Sequence, residues 1–432
     1  MSDTAEFKPT AASMGTSRAG TGKSAPVVFG VAGIGGYAGS ICDRLLSESR
    51  APEPLLNFSA VCDPDPSRHP ERTAKLADAG VKIYKSFDEL LAEPVEAVWL
   101  PLPIDLHRPF TEKALAAGKA VMVEKPAAGC VDDIDAMIAA RDRHRLLVGV
   151  GFQDVYHPEI QSLKRRMLGG ELGSPREATV LACWPRNSSY YARTNWAGMM
   201  KRGGTWILDS PANNALAHQI HLTLFLLGPT QHAAATPISV EAELYRVNPI
   251  ENYDTCSLRV TLDNGARVLV LFTHACATSI NPEIEIDTDR TQVRVMPARR
   301  IEIGCAGETP QVTALKGDGG APARAFSRRL RAGSDEDRQR LPIATLEMAR
   351  AHSVVVCGAS EAASVSDVPD QFVRTESREK DATLRLIPGI ESAMRQCAIN
   401  RQMLNESGQL SWTTAAGTRD LRNYAHFAGP KT

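Results

Sequence analysis

The strand-like run Val27–Ala32 passes directly into Gly33-Ile34-Gly35-Gly36-Tyr37-Ala38, and from there into the helical pattern of Ile41, Leu45 and Leu46. A buried strand, a glycine turn and a helix in that order leave few folds open. Gly33-x-Gly35-x-x-Ala38 fits the G-x-G-x-x-G/A dinucleotide fingerprint. Gly33 permits the tight turn, Gly35 lets the backbone approach a pyrophosphate, and Ala38 keeps the helix close to the strand. The chain holds 32 glycines, so the match gains its weight from the strand before it and the helix after it. Gly36 and Tyr37, in the same turn, join Gly33 and Gly35 as cofactor-binding candidates.

The alternation continues. A strand over 58–62 ends at Asp63, and a helical pattern over 66–79 stops at Gly80. Ser86-Phe87-Asp88-Glu89 is a capping box that opens a helix. Strands are read at Ala97–Leu100, Ala120–Val123 and 147–150, with helices over 107–117 and 132–144. Strands alternating with helices of this length predict βαβ units and a parallel sheet, an α/β Rossmann domain over 26–150. The Asp63 carboxylate can accept ribose hydroxyls and would repel a 2′-phosphate, so NAD is expected over NADP, although Arg68 lies close by. Its other reading is the start of an Asp-Pro turn. Glu124-Lys125-Pro126 ends the Ala120–Val123 strand, because proline cannot continue a central strand. Lys125 therefore stands at the carboxyl end of a strand, where open α/β sheets bind ligands.

At 432 residues the chain exceeds what one hydrophobic core usually fills, so two domains are expected. A formal net charge of −1 offers no global attraction to nucleic acid or an anionic membrane. The nine cysteines are scattered and contain no C-x-x-C, which predicts reduced core cysteines and a cytoplasmic location. Residues 1–25 read as a disordered tail. Its Gly22-Lys23-Ser24 lacks the first glycine of a P-loop, since position 17 is Ser, and it precedes a strand.

With these motifs in place, the chain resembles the glucose–fructose oxidoreductase and inositol dehydrogenase (Gfo/Idh/MocA) family. The resemblance rests on Pro103-Ile104-Asp105-Leu106-His107, on Gly118-Lys119 followed by Glu124-Lys125-Pro126, and on Gly173 after Glu171-Leu172. Gly203-Gly204 then precedes an Asp/Asn-x-x-x-His motif, here Asn214 and His218. The match is specific from about residue 27 to 228 and looser to about 412. It implies a catalytic pair of Lys125 and His218, with His218 ten residues before Gly228. It also implies that Pro103, His107, Glu124 and Lys125 border the cofactor, and that the protein oligomerises as a homodimer or homotetramer through its C-terminal sheet. Asn214 stands where the family often has Asp. An amide can orient a hydroxyl but cannot act as a base, and Asp209 could supply the missing carboxylate.

The second half reads as an α+β domain over 151–432. Strands at 180–183, 238–247, Thr255–Leu262, 266–273, 283–287 and Gln292–Met296 suggest a largely antiparallel open sheet. A loop is expected over 304–323, and helices over 216–227, 341–359 and 384–404. The aromatic- and arginine-rich segment 184–196 offers Arg186, Tyr191 and Trp196 for a hydroxyl-rich ring, alongside Lys125, Asn214 and His218. Alternatively these aromatics anchor a surface loop or an interface. His218 and His221 share a helix face, but no third ligand is near, so no metal is expected. The expected activity is hydride transfer between a secondary alcohol of a sugar or cyclic polyol and NAD. Two alternatives remain: glycoside cleavage through transient oxidation, and a non-catalytic dinucleotide sensor.

Overall fold

The computed structural model describes residues 25–305 and 307–431. The expected tail up to residue 24, with Gly22-Lys23-Ser24, lies outside the described residues.

The first half builds β1 (Val27–Ala32), α1 (Gly36–Ser49), β2 (Leu56–Cys62), α2 (Pro70–Asp78), β3 (Lys82–Tyr84) and α3 (Phe87–Ala92). It continues with β4 (Ala97–Leu100), α4 (Ile104–Ala116), β5 (Ala120–Val123), α5 (Val131–His144) and β6 (Val148–Val150). The six strands pair in parallel in the order β3-β2-β1-β4-β5-β6. The order reverses between β1 and β4, so the crevice at their carboxyl ends is the natural ligand position. Strands β4 and β5 are buried along their whole length, as residues covered by helices on both faces must be. Ser86 caps α3 with both bonds of the capping box formed. The expected 66–79 helix is divided: Pro66–Arg68 makes a 3₁₀ turn, and α2 starts afresh at Pro70, where a missing N–H costs nothing. Helix α4 begins at Ile104, three residues before the expected start, with Pro103 as its N-cap.

The second half follows with α6 (Pro158–Leu168), β7 (Pro175–Cys183), α7 (Ser188–Ala192), β8 (Lys201–Arg202), β9 (Thr205–Trp206) and α8 (Ala217–Leu227). Next come β10 (Pro237–Arg246), β11 (Thr255–Leu262), β12 (Arg267–Thr273), β13 (Ile280–Thr288), β14 (Gln292–Met296), β15 (Arg300–Gly304) and β16 (Gln311–Ala314). The chain closes with α9 (Ala321–Arg331), α10 (Asp335–Arg340), α11 (Leu346–Ala362), β17 (Val365–Asp367), β18 (Arg374–Ser377), β19 (Thr383–Leu386), α12 (Ile390–Asn400) and β20 (Gly417–Asp420). The large sheet runs β16-β15-β14-β13-β7-β12-β11-β10-β17, with β20 also on β10. Only β7–β12 and β10–β17 pair in parallel. Two expectations are corrected. The 304–323 loop contains the edge strand β16 and runs into α9, and the 384–404 helix is split into β19 and α12 by Pro388 and by Gly389 at φ +79°.

The polypeptide also returns to the first sheet. Phe326 of α9 meets Phe29 of β1 edge-on at 5.9 Å, and the Val150 N–H at the end of β6 donates to Ala344 at 2.9 Å. On the large sheet, the face expected to be open is occupied. Ile390, Met394 and Cys397 of α12 pack with Leu181, Tyr245 and Leu271 in a second apolar cluster. On and around α12 that face carries ion pairs: Arg395 with Glu283 at 2.6 Å, Arg401 with Glu285 at 2.5 Å and with Asp287, and Arg294 with Glu285 at 3.1 Å. The apolar part of this face is therefore covered by the chain itself. Among the described residues no helix is long and apolar enough to cross a membrane.

Helix α8 is apolar all round and buried, and it carries His218 in its first turn. Its end is closed by a lysine. Lys164 Nζ, fully buried, donates to the carbonyls of Phe225 at 2.6 Å, Leu226 at 3.3 Å and Gly228. These carbonyls have no intrahelical partner. Lys164→Met leaves them buried and unsatisfied, at a cost of about 1–3 kcal/mol for each orphaned group. The expected outcome is a thermal midpoint several degrees lower by calorimetry.

Candidate active site

The glycine turn shows how the fold prepares a phosphate-binding end. Gly33 and Gly36 sit at φ +103° and +50°, a region that costs side-chain-bearing residues energy. Gly35 is the N-cap of α1, and it has no side-chain cap and no acid in the first turn after it. The N–H groups and positive dipole end are thus left to an external anion. A Cβ on Gly36 would meet nothing within 4 Å, so the space above the turn is open, whereas one on Gly35 would lie 2.3 Å from His69 Nε2. Gly35 therefore makes room for the His69 ring as well. Asp63 ends β2 and braces the turn: Oδ2 accepts from Ile34 N–H at 3.1 Å and Oδ1 from Asp65 N–H at 2.9 Å. Each carboxylate oxygen keeps a lone pair for a ribose hydroxyl. Tyr37 is half-exposed beside the turn, and its hydroxyl accepts from Arg44 at 3.3 Å. An uncapped helix start, open space and a strand-end acid fit a dinucleotide.

Lys125 lies at the end of β5, on a base that is itself buried. Glu124, 5% exposed, accepts from Trp99 Nε1 at 3.1 Å and from the Lys125 N–H at 3.2 Å. A Cβ on Gly151 would fall 2.6 Å from the Glu124 carboxylate, so only glycine fits there. Burial raises the pKa of Glu124 and lowers that of Lys125. His107 is 1% exposed, with its two nitrogens against the carbonyls of Pro126 at 2.9 Å and Leu102 at 2.8 Å. It clamps the loops after β4 and β5, with both ring nitrogens turned to main-chain carbonyls. Pro103 stands beside it as the α4 N-cap.

Lys125 Nζ crosses to the second half of the chain. It donates to Asn214 O at 2.8 Å and to Asn214 Oδ1 at 3.1 Å. An ammonium has three N–H bonds, so one remains. Asn214 belongs to a π-helical turn, Pro211–Ala215, that leads into α8. Its Nδ2 donates to Asp209 Oδ1 at 2.7 Å, and Asp209 Oδ2 accepts from Gly198 N–H at 2.6 Å. The amide thus bridges a lysine and a buried acid, which accounts for an Asn where an Asp was expected. Burial raises the pKa of Asp209, while the Arg193 and Lys125 charges pull it back down.

His218 faces the same cleft. Its Nδ1 lies 3.7 Å from Asp154 Oδ2 and has no hydrogen-bond partner. Phe152, immediately after β6, meets the His218 ring edge-on at 5.7 Å and stacks flat on His221 at 3.7 Å. His221 is a packing residue of this cluster. His352 of α11 completes it, 5.7 Å from the Phe152 ring. Burial, with the Lys125 and His352 charges, pushes His218 down to about 3. Burial alone raises Asp154 to about 6. The arrangement holds a neutral imidazole beside an ammonium, with a carboxyl group behind it. Sequence reasoning missed Asp154. The available signal was its place in the turn after a parallel strand, where ligands bind.

The 184–196 segment forms α7 and its flanks. Arg186 lies over the rings of Trp184 at 5.4 Å and Tyr190 at 4.6 Å. Arg193, the second arginine of this segment, lies 3.5 Å over Tyr190 and 5.8 Å from the Trp196 ring. Tyr191 sits against Tyr190 at 5.2 Å with its hydroxyl buried.

Comparison with known proteins places this geometry in context. The "Oxidoreductase family, NAD-binding Rossmann fold" model matches residues 27–152, and the "GFO/IDH/MocA C-terminal domain" model matches 160–294. The chain is 30% identical over 173 residues to inositol 2-dehydrogenase of Ralstonia nicotianae, covering 39% of this chain and 46% of that protein. It is 29% identical over 159 residues to dTDP-3,4-didehydro-2,6-dideoxy-alpha-D-glucose 3-reductase of Streptomyces violaceoruber, covering 36% and 45%. The chain thus spans a little under half the length of these two curated relatives. The WlbA dehydrogenase of Bordetella pertussis, solved with NADH and UDP-GlcNAcA, shares the fold at TM-score 0.61 and 21% identity, over 77% of this chain and 94% of that one. An inositol dehydrogenase homolog of Azotobacter vinelandii, solved with NADH and myo-inositol, shares it at 0.61 and 17%, over 77% and 93%. Such identities speak to the fold alone. The two family models together span more than half of the 432 residues, an NAD-binding Rossmann domain and its characteristic partner, and the chain belongs to the GFO/IDH/MocA oxidoreductase family.

Proposed function

We propose that this protein is an NAD-dependent oxidoreductase that moves a hydride between the nicotinamide and a secondary alcohol of a sugar, sugar derivative or cyclic polyol. One observation carries the reading: Lys125 Nζ is fixed by both oxygens of Asn214 with one N–H left over, beside an imidazole held neutral. The inositol and sugar enzymes among its relatives support the substrate class.

NAD, when bound, supplies the hydride-accepting carbon. The N–H groups opening α1 hold its diphosphate and Asp63 a ribose, a contact that disfavours a 2′-phosphate. Lys125 directs its remaining N–H at the substrate oxygen and stabilises the negative charge that grows there. His218 Nδ1 faces Asp154, which leaves Nε2 to take the hydroxyl proton. An imidazole pushed down to about 3 cannot keep that proton at neutral pH. Asp154, raised to about 6, is matched to receive it from Nδ1 once the 3.7 Å gap closes to a hydrogen bond. Asp154 acts through His218 and is a positioning and proton-accepting residue. Arg186, Tyr191 and Trp196 border the substrate.

With a sugar and inositol panel and NAD, NADH is expected to accumulate in proportion to product, whereas transient oxidation leaves none. Lys125→Met and His218→Ala should each lower kcat roughly 10²–10⁴-fold with NADH affinity unchanged; full turnover in either variant overturns the assignment. Asp63→Ala should weaken NADH binding by roughly tenfold, about 1–1.5 kcal/mol for a lost charge-assisted bond, and relieve discrimination against NADPH, read by fluorescence titration.

Asp154 gives a pH signature. It accepts a proton only when ionised, so oxidation should rise as pH passes through about 6. In Asp154→Asn that limb disappears and kcat falls about 10–100-fold, with KM little changed. Stability has the opposite sign. The folded pKa of about 6 exceeds the ordinary 3.8, so this carboxyl favours folding most below 3.8, and that contribution is lost as pH rises through about 6. Asp154→Asn should therefore raise the thermal midpoint at neutral pH and change it little in acid.

A further inference from the structure

Four buried polar atoms lack hydrogen-bond partners in and beside the loop after β7: Arg186 Nε, Tyr191 Oη, Thr194 Oγ1 and His274 Nε2. Buried polar atoms in folded proteins are nearly always paired, so a group of orphans marks a place shaped for something that completes it. The two segments that carry them are joined through the main chain. Arg186 N–H donates to His274 O at 3.1 Å, the His274 ring lies 5.9 Å from Tyr190, and His274 is only 2% exposed.

The charge at this place is positive. Arg193 donates from Nη1 to Tyr190 O at 2.9 Å, and Arg186 lies across Trp184 and Tyr190. Among the described residues neither guanidinium meets a carboxylate within 4 Å. The acid closest in influence is Asp209, on which Arg193 acts. Each Asp209 oxygen accepts one bond, from Asn214 and from Gly198, and neither reaches a guanidinium within 4 Å. Neighbouring Arg202, in contrast, is paired with Asp105 at 3.3 Å. Gly198, shortly after Arg193 in the chain, donates to Asp209, and Asp209 holds the Asn214 amide against Lys125, so the segment that carries the cluster borders the reacting centre. A guanidinium stacked on an aromatic ring keeps its planar N–H fork free, and that fork matches carboxylate and phosphate oxygens in pairs.

We propose that the Arg186–Arg193 cluster binds an anionic group of the substrate, so that the molecule oxidised between Lys125 and His218 is a sugar acid or a sugar phosphate and not a neutral sugar or polyol. This inference rests on the proposed hydride-transfer reading for what happens at the carbinol. The recognition itself depends only on the orphaned Arg186, Tyr191 and Thr194 donors and the two guanidiniums without a carboxylate; His274 Nε2, with Nδ1 donating to Trp184 O, is an acceptor and takes no part. A neutral ring would leave the half-buried Arg186 charge without a counter-ion, whereas a carboxylate or phosphate neutralises it and completes its hydrogen bonds, with the exposed Arg193 at the rim.

Binding tests this without turnover. D-glucuronate, D-glucose 6-phosphate, D-glucose and inorganic phosphate are titrated by calorimetry into the full-length protein saturated with NADH. One of the two anionic sugars is expected to bind at least tenfold tighter than D-glucose, with glucuronate and glucose 6-phosphate separating the carboxylate from the phosphate case. Arg193→Ala should remove at least tenfold of that affinity and Arg193→Lys restore part of it, with NADH binding intact in both variants. Equal affinity for D-glucose, no effect of Arg193→Ala, inorganic phosphate binding as tightly as the sugar phosphate, or no binding of either anionic sugar overturns the proposal. If the anionic sugar binds through Arg193 but wild-type protein oxidises nothing, the hydride-transfer reading fails and this one stands. If D-glucose and D-glucuronate are oxidised equally well by wild type and Arg193→Ala, the opposite holds.

Discussion

The contact on which the site depends is the bond from Lys125 to Asn214. A lysine at the end of a parallel strand is held by the main-chain and side-chain oxygens of a residue 89 positions later in the chain. The bond joins the carboxyl edge of the first sheet to the turn that opens α8, and His218 follows four residues on. Asp209 fixes the amide from behind, so that Asn214 presents oxygen to the ammonium. Glu124 and Gly151 fix the strand end from below. Each element of the cleft takes its position from this crossing.

The cleft gathers charge where solvent is scarce. Glu124, Asp209, Lys125 and three histidines lie together, and burial pushes every one of them toward its neutral form. Such groups destabilise the folded chain unless they are hydrogen-bonded. Most are, through Trp99, Gly198 and Asn214. Asp154 and His218 Nδ1 are not, and they face each other. Strain of this kind recurs where chemistry is done, and the apolar mass of α8 and α11 packed around it offsets the cost.

Local order was largely legible in the chain. The β1–turn–α1 unit, the Ser86 cap and the Glu124-Lys125-Pro126 strand end were read close to where they stand, because each rests on chemistry within a few residues. Three-residue β3 was not, since so short a strand carries no period and exists by pairing with β2. The 384–404 segment read as one helix from its apolar spacing, although Pro388-Gly389 already held the break. Helix α12 covering the large sheet was invisible, because an apolar helical face does not say which surface it will meet.

The amino-acid sequence by itself determined the dinucleotide-binding half and the placement of Lys125 at a strand end. These follow from turn geometry, strand termination and motif spacing, all short-range constraints. Only the tertiary structure decided that Asp209 stands behind Asn214, that Asp154 faces His218, that His107 is a clamp, and that two arginines without carboxylates stack on aromatic rings. Those facts depend on which distant side chains share a buried volume, and burial, which sets the charge and partners of each group, is a property of the packed chain.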